Sequence, residues 1–154
     1  MSTRTEVPPL VVSRLIHAPP ERVFRAWSDS EVAARWGWGR AYDTIAVELD
    51  CRPGGRWRHE IRDRNTGETF WFDGVFREVV PGRRVVHTFK WTSDRGHDEP
   101  ESLVAVELVP RGADTEVVIT HTALPPDKVR ETDEGWKDCL EQIDRAVAAP
   151  ATPG

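Results

Sequence analysis

Three histidines, His59, His87 and His121, fall on positions that a period-two reading turns inward. Side chains of a strand point alternately to its two faces. In the run from Arg52 to Arg62, RPGGRWRHEIR, this puts Trp57, His59 and Ile61 on one face and Arg56, Arg58, Glu60 and Arg62 on the other. Imidazole titrates near neutral pH, so His59 and His87 are the candidate general acid or base if a substrate lies beside them. Neutral imidazole also binds zinc, but these three sit on separate strands, with no H-x-x-x-H spacing and no clearly inward Asp or Glu. No metal and no cofactor is expected. The plain alternative is a core histidine whose ring nitrogens are satisfied, or one that orients a polar group of a ligand. The chain has no G-x-S-x-G elbow, P-loop, dinucleotide fingerprint or H-E-x-x-H helix.

The same alternation gathers aromatic residues around the histidines. Phe70, Phe72, Gly74 and Phe76 are inward on one stretch, and Val85, His87, Phe89 and Trp91 on the next. Val104, Val106 and Leu108, then Val117, Ile119 and His121, complete the surface. A mostly apolar, aromatic lining with a few polar groups is the composition of a small-molecule site, and equally of an ordinary core. The residues expected to contact a ligand are Trp57, His59, Phe72, Phe76, His87, Phe89, Trp91, His121, Trp136 and Leu140. For that role they must leave a cavity of about 300 Å³ or more.

Positioning such a surface takes a sheet and something to cover it. Residues 10–17 read as a first strand that stops at Ala18-Pro19-Pro20, where proline permits a helix to start. Val23, Phe24 and Trp27 then recur at helical spacing, and Asp29 can cap a second short helix carrying Val32, Ala33 and Trp36, each of about two turns. Trp27 and Trp36 read as anchors that pin this pair to the sheet. Period-two stretches follow at 44–51, 56–63, 69–80, 84–92, 102–109 and 115–122, separated by turn signals such as Asn65-Thr66-Gly67, Pro81-Gly82 and Pro110-Arg111-Gly112-Ala113. Gly74, in mid-strand, implies a bend or close approach. The acidic loop 93–101 reads as a solvated connection, with a lid over a cavity mouth as its functional alternative. Over 127–148, Trp136, Leu140, Ile143 and Val147 form one stripe, with Lys137, Asp138, Glu141, Asp144 and Arg145 opposite.

The fold class is therefore α+β, in the order β-α-α-β6-α: a curved antiparallel sheet of about seven strands around one long terminal helix, with the concave face as the pocket. The 154 residues make a single domain over 10–149, with flexible tails at 1–9 and 150–154. A net charge of −5 with scattered arginines gives no nucleic-acid footprint. Cys51 and Cys139 read as reduced, buried thiols, no apolar run is long enough to span a bilayer, and no secretory signal opens the chain, so no membrane partner and a cytoplasmic location are expected. An edge strand such as 102–109 is read as one that pairs with a second copy or is simply covered.

Several stretches, in order, carry a resemblance: APPERVFRAW from Ala18, Ala34-Arg35-Trp36, ELDCRPGGRW from Glu48, DGVFREV from Asp73, PGRRVVHTF from Pro81, THTALP from Thr120, and Gly135-Trp136 followed by Leu140. The chain resembles the activator of heat-shock-protein-90 ATPase homologue-like family, within the START-like or SRPBCC helix-grip superfamily. The resemblance implies a helix-grip fold with a cavity between sheet and C-terminal helix, binding of a small hydrophobic, aromatic or lipid-like ligand, and a homodimer. It brings no catalytic triad. Two other roles follow from relatives: a polyketide cyclase or aromatase-like enzyme using His59 or His87, and a co-chaperone-type protein-binding module. The proteins that name the family carry an additional N-terminal domain for co-chaperone work, and this sequence is not expected to form one. At His87 relatives often carry an aromatic.

Overall fold

The computed structural model describes residues 8–35, 41–96 and 98–148. The expectations placed on Trp36 and most of those on the two tails lie outside the described residues. Strand β1 (Leu10–Ile16) leads into helix α1 (Pro20–Ser28), which starts on Pro20, a position whose missing N–H costs the helix nothing. Val23, Ala26 and Trp27 form its buried face. Helix α2 (Ser30–Ala33) is a single turn, shorter than expected, and the Asp29 side chain accepts the Glu31 N–H at 2.9 Å to cap it.

Six strands follow: β2 (Tyr42–Leu49), β3 (Arg56–Asp63), β4 (Thr69–Val80), β5 (Arg84–Ser93), β6 (Ser102–Arg111) and β7 (Asp114–Thr122). A single 3-10 turn (Pro126–Lys128) enters the long helix α3 (Val129–Val147). All pairings are antiparallel, in the order β1-β7-β6-β5-β4-β3-β2. The first strand thus returns to pair with the last, and β1 and β2 are the edges. Strand β6 lies inside the sheet, hydrogen-bonded on both sides, so it is not the edge strand expected. Period-two patterning tells which face a residue takes but not which strands neighbour one another.

Helix α3 lies along β1 and against α1 and closes the concave face. Trp136, Cys139, Leu140, Ile143 and Val147 are buried, each large side chain contributing about 1.5–3 kcal/mol relative to exposure. Asp144 does not belong to the wet side of this helix: it is buried, accepts the His17 backbone N–H at 3.0 Å, and pairs with the His17 ring and Arg14. It ties α3 to the β1–α1 junction.

The turn before β3 is fastened to β4. Gly54 N–H donates to the Phe76 carbonyl and Phe76 N–H to the Gly55 carbonyl, both at 2.8 Å. Gly54 has φ +87°, and a Cβ on Gly55 would lie 2.0 Å from the Asp50 carbonyl oxygen, so both glycines follow from backbone geometry. The outer face of β3 is charged, as its alternation requires. Val11 and Leu15 on edge strand β1 and Leu103 on β6 are exposed, and they pair with Thr120, Glu116 and Thr122. No helix among the described residues is long and apolar enough to cross a membrane.

Candidate functional site

The inward set is as the alternation requires. Trp57, His59, Phe72, Phe76, His87, Phe89, His121, Trp136 and Leu140 are buried, and Trp91 is half-buried at the end of β5. They do not form one site, however. Packing divides them into a filled inner end and an open outer end.

At the inner end Trp57 is the hub. Its ring lies 4.8 Å from that of His87 and 5.5 Å from that of His59, both edge-on, and Phe76 stands edge-on to His87 at 6.0 Å. Trp57 Nε1–H donates to the Thr88 carbonyl at 3.0 Å, and the same oxygen lies 2.8 Å from His87 Nδ1, which therefore carries the proton. That carbonyl is turned off the sheet ladder towards the core. The ladder gives way opposite it, where Val75 N–H bonds to Thr88 Oγ1 at 2.8 Å. A Cβ on Gly74 would lie 2.0 Å from the Thr88 oxygen, which is the close approach that mid-strand glycine implied.

What remains open between Trp27, Trp57, His59, Phe76, His87 and Trp136 is about 10 Å³, the room of a single water. Burial lowers the His59 imidazole to about 3, with His87 pushing the same way, and lowers His87 to about 4 against the opposing pull of its bond to Thr88. Both are neutral and far from the pKa near 7 that suits a general base at neutral pH. The geometry gives neither of them a space in which to meet a substrate.

The outer end holds the cavity. It is about 130 Å³, lined by Tyr42, Ile61, Phe70, Phe72, Phe89, Trp91 and Trp136 together with Glu99, Pro100, Ser102, Leu124, Glu131, Thr132 and Gly135. This is well under the expected 300 Å³, because the aromatic side chains that were to line a deep pocket fill most of it with one another. Phe72 stacks on Trp91 at 5.6 Å and lies 5.4 Å from Phe89. Of the ten expected contacts, Phe72, Phe89, Trp91 and Trp136 line the cavity, while Trp57, His59, Phe76, His87, His121 and Leu140 do not. The space is close to the roughly 150 Å³ of a cavity that takes a single benzene ring.

His121 has another task. Trp136 Nε1–H donates to His121 Nδ1 at 3.0 Å, His121 Nε2 lies 2.7 Å from Ser102 Oγ, and Ser102 Oγ–H donates to the Phe89 carbonyl at 3.3 Å. An indole nitrogen only donates, so Nδ1 is the acceptor and Nε2 carries the proton. Burial, then His87, lowers this imidazole to about 3, which keeps it in the neutral form that the chain of bonds needs. Through His121 the sheet fixes the indole that forms the helix side of the cavity. Among the described residues no cluster of His, Cys, Asp or Glu could hold a metal.

The loop between β5 and β6, read from the sequence as a solvated connection or a lid, supplies further lining residues. Glu99 comes from the loop between β5 and β6, with Glu99 N–H bonded to the Trp91 carbonyl at 3.0 Å and Lys90 Nζ to the Glu99 carbonyl at 2.9 Å. Glu99 and Pro100 bring that loop over the cavity, while its His97 lies outside the described residues. Gly135 sits in mid-helix on the cavity wall with nothing within 4 Å of an added Cβ. Exposed Pro100 and Glu131 mark the mouth.

Residues 17–148 match the family model described as Activator of Hsp90 ATPase homolog 1-like protein. Comparison with curated proteins finds no match. Among solved structures, a protein from Chromobacterium violaceum superposes with a TM-score of 0.80 at 26% identity, over 93% of this chain and 99% of its own. The AHSA1 protein from Silicibacter pomeroyi gives 0.79 at 24% identity over 91% and 97%, and the solution structure of an AHSA1-like protein from Aeromonas hydrophila gives 0.71 at 23% over 94% and 99%. At these identities the last two speak for the fold. With a family match that spans nearly all of the folded chain, and the helix-grip architecture in place, the chain belongs to the Activator of Hsp90 ATPase homolog 1-like family.

Proposed function

We propose that this protein binds a small, largely apolar molecule of about one aromatic ring in the cavity between Trp91 and Trp136. The observation that carries this reading is the cavity itself: about 130 Å³, walled by six aromatic side chains and open beside Pro100 and Glu131. Sites for small molecules are apolar, concave and furnished with a few convergent polar groups, here Tyr42, Glu99, Ser102, Glu131 and Thr132. The indole of Trp136 is held by the His121 relay before any ligand arrives, so binding does not bear the cost of ordering it. Binding, and not catalysis, is the activity: the two candidate acid–base histidines face the filled inner end. Native mass spectrometry of protein purified from its host tests the reading. A retained adduct of single-ring size is expected; an adduct of acyl-chain or polycyclic size would overturn it.

A further inference from the structure

We propose that the molecule taken by this cavity is a cation: an aryl or arylalkyl ammonium whose ring enters among Phe72, Phe89 and Trp136 while its nitrogen rests at the mouth against Trp91, Glu99 and Glu131. The proposal rests on the ring-sized-ligand reading above and adds the charge. The Glu99 carboxylate is about as buried as the aromatic walls, with 11% of its side chain exposed, and it lines an apolar cavity. A carboxylate kept from water in such surroundings is costly unless positive charge lies close.

The chain supplies such a charge from outside the cavity wall. Lys128 Nζ stands 3.4 Å from Glu99 Oε2, 3.5 Å from Glu131 Oε2 and 5.9 Å from the Trp91 ring centroid. An ammonium thus already occupies the face of an indole between two carboxylates, the arrangement by which aromatic sites hold organic cations. Both ion-pair distances exceed the 2.7–2.9 Å of a close charge-assisted bond. Among the described residues, the ion pairs at this mouth join Glu99 and Glu131 to Lys128 and Asp98 to Lys90. The Tyr42 phenol feels the same field: its pKa is raised by partial burial, then by Asp63, Glu131 and Glu68. Among the described residues the lining includes no Lys, Arg or His.

Calorimetric titration at low ionic strength with three probes of one shape, benzylamine, benzyl alcohol and benzoate, tests the charge. Benzylamine should bind about tenfold more tightly than benzyl alcohol, and benzoate most weakly. Glu99→Gln should bring the amine down to the affinity of the alcohol. Lys128→Met should tighten the amine by removing the ammonium that competes with it. Should Glu99→Gln not fold, exposed Glu131→Gln carries the same comparison. Equal affinity for amine and alcohol, or tightest binding of benzoate, would overturn the charge and leave the ring site standing. Failure of all three probes to bind would overturn both.

Discussion

Trp136 on the helix donates its indole N–H to His121 Nδ1 on the last strand at 3.0 Å, and that bond joins the two layers that enclose the cavity. Its consequence is a fixed tautomer, with the proton on His121 Nε2 directed to Ser102. Replacing Trp136 with Phe removes the donor and leaves a buried imidazole nitrogen to be desolvated, which costs about 1–3 kcal/mol in addition to lost packing. Chemical denaturation should show a lower midpoint at unchanged slope, and ¹⁵N spectra of the wild type should report an Nε2–H tautomer at His121. An Nδ1–H tautomer would contradict the relay.

The three buried histidines set a pH dependence. Each has a folded pKa of about 3 to 4 against about 6.5 unfolded, so above pH 6.5 both states are neutral and these groups contribute no slope. As pH falls below 6.5 the unfolded chain takes up protons that the folded chain refuses, and stability is lost until the folded pKa is passed. The loss is about 2 kcal/mol per histidine from pH 7 to pH 5, large against a total of about 5–15 kcal/mol. Urea midpoints at pH 7, 6 and 5 should fall steadily; a flat response would contradict the burial of neutral imidazoles.

Gly135 separates helix stability from ligand access. Gly135→Ala has open space for its methyl and should stabilise the helix by up to about 1 kcal/mol. Gly135→Leu extends into the cavity and should abolish binding of a ring-sized probe while the protein stays folded. Far-UV circular dichroism and calorimetry on the pair make the check; unchanged probe binding in the leucine variant would place the ligand elsewhere.

Gly74→Ala should behave differently. Its methyl would meet the Thr88 carbonyl oxygen at 2.0 Å, and that oxygen already accepts from Trp57 and His87. The sheet must open or the two bonds must yield, at a cost of about 1–3 kcal/mol or more, read as a drop in thermal midpoint. A neutral substitution would show that the local break in the ladder is more pliant than its bonds imply.

Particular residues show what the sequence made legible. Trp57, Phe76, Val104, Ile119 and Leu140 all face the core as their periodicity requires, because burial on one face imposes period two on strands and a stripe on the helix. The size of the cavity was not legible: alternation puts Trp57, His59 and His87 on one surface but is silent on whether their rings touch. Glu99 lies in a loop read as a connection or a lid and Tyr42 at the start of an edge strand, and neither was singled out because no repeat marks direction there. Asp144 was placed in water by its type, and only its bonds to the backbone and ring of His17 explain its burial.

The tryptophan indole signals offer the most direct test of the ring site, since Trp91 and Trp136 line the cavity while Trp27 and Trp57 surround a space of about 10 Å³. In ¹H–¹⁵N spectra, titration with neutral benzyl alcohol should shift the Trp91 and Trp136 indole signals saturably at one probe per chain, and Gly135→Leu should remove the effect. Shifts centred on Trp27 and Trp57, or no saturable shift at all, would contradict the account.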